Sequence, residues 1–162
     1  MSALPSQSRY IIGTEACERF SFYGMKSILM LYMTGHLLMS DNWGTSTLHI
    51  FMGMVYLLPL AGAWLADKVW GRYKTILYIS LLYCVGHGVL ATADLFHTIE
   101  ARRYILMAGL FIIALGAGGI KPCVSAFMGD QIPNKSPQLM TKAFNAFYWA
   151  INLGSFFSFL VI

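Results

Sequence analysis

Charge is scarce in this chain. Only 11% of its 162 residues are Asp, Glu, Lys or Arg, against about 25% in an ordinary soluble domain. That shortage, with 57% hydrophobic residues, excludes a water-soluble domain and implies an integral membrane protein, because lipid cannot hydrate charges. Cysteine is equally sparse. Cys17, Cys84 and Cys123 lie in or beside apolar stretches without metal-ligand spacing, which excludes a metal cluster and leaves small apolar filling as their role. There is no nucleophile constellation, metal cluster or nucleotide-binding loop, so nothing points to an enzyme. The first ten residues lack a basic n-region followed by a short apolar run, the pattern of a cleaved signal peptide. Although the net charge is +4, the basic residues are scattered and form no patch for nucleic acid.

What the chain does have is long apolar segments. Five stand out, at about 10–39, 47–66, 75–93, 104–122 and 143–162, each near or above the roughly 20 residues that cross a bilayer as a helix. The expected fold class is all-α, a polytopic membrane protein of about five transmembrane helices. The first segment would reach about 45 Å, longer than the hydrocarbon core, and therefore tilts or protrudes. With the N-terminus in the cytoplasm, Arg9, Lys68, Arg72, Lys74, Lys135 and Lys142 fall inside and only Arg102 and Arg103 outside, in accord with the positive-inside rule. Trp43, Trp70, Tyr73 and Tyr104 mark segment ends, where amphipathic rings favour the interface. Pro59 and the Gly116, Gly118, Gly119 and Pro122 cluster should distort the second and fourth helices. Such sites are either close packing through small residues or hinges lining a cavity.

The few charges inside apolar sequence are the informative ones. Glu15, Glu18, Arg19, Phe22 and Lys26 share one helical face, and Lys121 ends the fourth segment. A charge at bilayer depth costs at least a few kcal/mol unless it pairs or faces water. A structural i,i+4 pair of Glu15 with Arg19 and a snorkelling Lys26 would be the bland account. The functional account is an internal site. Two carboxylates against three cations leave one positive charge, which favours an anionic ligand, and a Glu whose cation partner comes and goes can take up and release a proton.

These residues stand in a pattern that resembles the proton-dependent oligopeptide transporter family, a branch of the major facilitator superfamily. Glu15 to Gly24 resembles the ExxERFSYYG stretch of that family, Gly118 to Phe127 with Gly129-Asp130-Gln131 its fourth-helix signature, and Phe144 to Phe156 its fifth-helix signature. Gly62 to Asp67 with Gly71-Arg72 resembles the loop between helices two and three throughout the superfamily. The resemblance implies symport of di- and tripeptides with protons, driven by the proton gradient without a cofactor. It implies that Glu15, Glu18 and Arg19 couple proton movement to substrate, with Lys121 pairing with the glutamates in one state. Lys26, where the family usually carries Arg, would hold the peptide carboxylate with Lys121, but without the bidentate fork of a guanidinium. Tyr23, Tyr56 and Asn152 match pocket positions, while Phe22 replaces a common Tyr. His49 is either an interfacial histidine or the counterpart of a proton-handling histidine in animal relatives. Asp67, Gly71 and Arg72 would control packing at the cytoplasmic gate.

A full member of the family has twelve or more helices in two bundles, built from three-helix repeats. Residues 1–162 would form part of the N-terminal bundle, with the C-terminal bundle absent or on a separate chain. The expectation is a portion inactive alone, multi-pass in a cell (inner) membrane. The alternative is a non-transporting remnant, or half of a split transporter acting as an interaction partner. The cationic face does not by itself choose between peptides and nitrate or other small anions.

Overall fold

The computed structural model describes residues 4–161. Five long helices dominate: α1 (Ser6–Leu31), α2 (Asp41–Lys68), α3 (Arg72–Ala91), α4 (Ile99–Asp130) and α5 (Pro137–Val161). A π-turn, Tyr32–His36, continues α1, and single 3-10 turns, Ala93–Leu95 and Pro133–Lys135, precede α4 and α5. No strand occurs among the described residues. The all-α class is therefore as expected.

Most helices outrun the apolar segments at their polar ends, but the first expected helix, about 10–39, stops short: α1 ends at Leu31 and its π-turn at His36, and Leu38 turns left-handed at φ +51°. Ser40 takes an extended conformation and its hydroxyl accepts from the Trp43 amide at 3.3 Å, so α2 begins at Asp41, six residues before the apolar run. An acidic residue in the first turn complements the helix dipole. α4 continues to Asp130 and α5 opens at Pro137, where a missing N–H costs nothing, so the polar stretch 129–142 shrinks to a short turn. Ile162, the last residue of the expected fifth segment, lies outside the described residues. Four helices, α2 to α5, are long and apolar enough to cross a membrane by length and composition. α1 is not among them, because Arg9, Glu15, Glu18, Arg19 and Lys26 all lie within it.

Neither proline breaks its helix: α2 runs through Pro59 and α4 through Pro122. Two compact units make up the chain. One joins the sequence up to Ile28 with that from Val124 onward; the other is Leu29–Cys123. In the second unit small residues bring helices together. A Cβ on Gly62 of α2 would sit 2.5 Å from the Gly119 Cα of α4, and one on Gly118 would sit 2.7 Å from Leu58 Cβ, beside Pro59. A Cβ on Gly116 would meet Tyr83 of α3 at 2.6 Å. The Gly-Pro cluster thus serves close packing, which supplies dispersion contacts that lipid cannot. Cys123 is buried here, its Sγ 3.6 Å from the Gly62 carbonyl. Cys17 and Cys84 are exposed instead, so only one of the three cysteines fills a core.

In the first unit α5 crosses α1 at Gly154, whose Cβ would collide with the Ala16 backbone. Phe147, Ala150 and Ser158 of α5 are buried, as are Phe22 and Ser8 of α1.

Candidate functional site

In the first unit the charged face of α1 is turned inward. Glu15, Glu18 and Arg19 are 6%, 8% and 5% exposed. Arg19 Nε stands 3.1 Å from Glu15 Oε1, and Arg19 Nη2 pairs with Glu18 Oε2. One guanidinium thus serves two carboxylates, in a fork that only arginine offers. Its Cζ lies 5.6 Å from the Phe22 ring centroid. Phe22, one turn on, is almost fully buried and meets Tyr23 edge-on at 5.7 Å. Lys26 continues the face and is half-buried. The i,i+4 pair of Glu15 with Arg19 expected of the bland account is present, and it is almost fully buried.

α5 contributes to the same unit. Tyr23 packs at 6.3 Å from the Phe159 ring. Asn152 is exposed and its amide donates to the Tyr148 carbonyl of its own helix at 2.9 Å. Asn145, Tyr148, Trp149 and Asn152 line a hollow of about 230 Å³.

The remaining sequence-predicted residues fall in the second unit. Lys121 is half-buried, with its ammonium 5.3 Å from the Tyr56 ring centroid, a cation–π contact between α4 and α2. His49, two turns before Tyr56 on α2, is exposed. Asp67 and Arg72 approach to 4.0 Å across the α2–α3 turn. Gly71 between them has φ +78°, a left-handed conformation that glycine adopts without strain. Lys121 and Tyr56 therefore come together, as do Asp67, Gly71 and Arg72.

Sequence reasoning missed one cluster. Tyr32, His36, Asp94 and Arg102 gather in the second unit, and Arg103 beside them caps the end of α1. The Arg103 guanidinium donates to the Leu37 carbonyl at 3.0 and 2.8 Å and to the Leu38 carbonyl at 2.7 Å, and lies 5.0 Å from the Trp43 ring. These bonds satisfy carbonyls left over at a helix terminus and hold Leu38 in its left-handed conformation. With partners some 60 residues apart, no spacing could reveal the cluster. The one signal was the pair Arg102-Arg103 on the side of the charge count that the positive-inside rule leaves poor.

Comparison with known proteins decides the family. Residues 73–162 match the sequence profile PTR2, described as the POT family. The chain belongs to the POT family. Peptide transporter family 1 of Drosophila melanogaster is 46% identical over 156 residues, which are 95% of this chain and 21% of that protein. Solute carrier family 15 member 2 of Homo sapiens is 42% identical over 97% of this chain and 22% of its own length. Among solved structures, the POT family transporter PepTSo matches with a TM-score of 0.86 and 47% identity, over 97% of this chain and 31% of that one. A POT family transporter in complex with 5-aminolevulinic acid reaches the same TM-score at 27% identity, over 97% and 32%. The chain thus spans about a fifth of the length of the curated relatives it matches. It is a segment with the POT fold, from a family of multi-pass membrane transporters, and its four apolar helices fit that setting.

Proposed function

We propose that this POT segment serves proton-coupled symport of di- and tripeptides, through ion movement rather than covalent chemistry and with no cofactor. The observation that carries the proposal is the burial of Glu15, Glu18 and Arg19 together on one face of α1. Two carboxylates sharing one guanidinium are poised so that a change in the arginine's position decides whether a carboxylate keeps a proton. Glu15, Glu18 and Arg19 are assigned to coupling, with Lys121 as a further cation of that set and His49 as an accessory proton group. Lys26 and Lys121 supply positive charge for a peptide carboxylate, and Tyr23, Tyr56 and Asn152 supply ring faces and hydrogen bonds. Asp67, Gly71 and Arg72 set the geometry of the α2–α3 turn at the gate. The basic residues favour an N-terminus in the cytoplasm of a cell (inner) membrane. The relatives' names support peptides over nitrate.

The test is a chimaera in which this segment replaces its counterpart in a full-length peptide transporter of the family. In proteoliposomes the chimaera should accumulate a dipeptide under an inward proton gradient. Glu18→Gln should abolish that accumulation while leaving dipeptide exchange partly intact. Undiminished acid-driven uptake by the variant would refute the coupling role.

A further inference from the structure

His36 closes the π-turn after α1 and is about half exposed. Its Nε2 has two neighbours of opposite kind: Asp94 Oδ1 at 3.1 Å, from the turn before α4, and Arg102 Nη1 at 3.3 Å, from the first turn of α4. One nitrogen cannot satisfy both. Carrying a proton, it donates to the carboxylate and confronts a guanidinium donor. Without the proton it accepts from the guanidinium and turns a lone pair toward the carboxylate.

The other charged and titratable groups of the cluster frame this choice. Tyr32 stacks on the imidazole at 5.2 Å between centroids and donates its hydroxyl to the same Asp94 oxygen at 2.8 Å. Arg102 Nη1 lies 3.9 Å from Asp94, and Arg102 Nε donates to the Phe96 carbonyl at 2.7 Å. Arg103, the next residue of α4, is engaged with Leu37 and Leu38. Asp94 and Arg102 therefore have partners in either state, and only the presence of a proton on His36 Nε2 changes.

We propose that His36 is a proton-operated toggle, tying the end of α1 to Asp94 when charged and to Arg102 on α4 when neutral with its remaining proton on Nδ1. Histidine suits the task because its charge ordinarily changes within the physiological pH range. The toggle stands apart from the transport reading, since none of its residues belongs to the proposed coupling or binding set.

The first turn of α4 reports the state. The Arg102 amide donates to the Thr98 carbonyl at 3.1 Å and the Ala101 amide to the Thr98 hydroxyl at 3.3 Å. Hydrogen exchange of these two amides would be followed in the full 162-residue chain in lipid nanodiscs, corrected for intrinsic exchange, from about pH 8 to about pH 5. Protection should fall about threefold toward acid, the size that an exposed charge contact supports. In His36→Gln the step should vanish. Two further variants keep the test open if that protein folds poorly. Asp94→Asn should move the midpoint to lower pH, by removing the charge that favours the proton, and Arg102→Gln should abolish the step, by removing the group that holds the neutral ring. A flat wild-type profile, an unchanged step in His36→Gln, a step that persists in Arg102→Gln, or a midpoint shift to higher pH in Asp94→Asn would each overturn the proposal.

Discussion

The two units hold their charges in opposite ways. Glu15, Glu18 and Arg19 in the first are each less than a tenth exposed, whereas His36 and Asp94 in the second are 51% and 57% exposed at their side chains. Both groups are built from carboxylates beside cations, yet burial alone makes them different devices. A buried pair cannot lose one partner without leaving an uncompensated charge in a poor solvent, so its breakage is expensive and can be coupled to another event. An exposed pair is rehydrated as it opens, so it responds to its surroundings at little cost.

The contrast can be broken by mutation. Arg19→Met should have the largest effect, about 3–5 kcal/mol of lost stability, because two carboxylates lose their shared cation. Thermal unfolding in detergent would measure it, and a loss below about 1 kcal/mol, the exposed-pair range, would erase the distinction. Next come the close helix crossings. Gly154→Ala in the first unit and Gly62→Ala in the second should each cost about 1–3 kcal/mol by overpacking, since the added methyl meets backbone rather than a movable side chain. Equal losses would show that the units differ in charge and not in packing. Tyr56→Leu should cost about 0.5–1 kcal/mol through the lost cation–π contact with Lys121. Smallest should be Asp94→Asn, within about 1 kcal/mol and shrinking further as salt is raised. A salt-insensitive loss as large as that of Arg19→Met would sink the comparison.

Much of the fold is legible in the amino-acid sequence. The apolar segments map onto the five helices, except that the first ends before Met39, and the shared face of Glu15, Glu18, Arg19 and Phe22 follows from helical spacing. Helix ends are less legible. Ser40-Asp41 reads as punctuation in sequence but caps α2, and the polar residues to Asp130 remain helical because a helix end needs no apolar residue. The prolines mislead in part. Pro59 and Pro122 each remove one backbone donor, which a long helix held by close neighbours absorbs. The candidate site is legible where it lies along one helix and illegible where it joins several. The pairing of Lys121 with Tyr56 and the cluster around His36 both need residues far apart in sequence.

By itself the sequence determined the class of solvent, the number of helices and the face of α1 that must turn from lipid. Those depend on composition and on the 3.6-residue period, which are local. Only the tertiary structure decided that Arg19 is shared by both glutamates and almost fully buried, that Gly62 touches Gly119, and that Arg103 caps α1. Such outcomes depend on which surfaces meet and which side chains point together, and no periodicity along one helix carries that information.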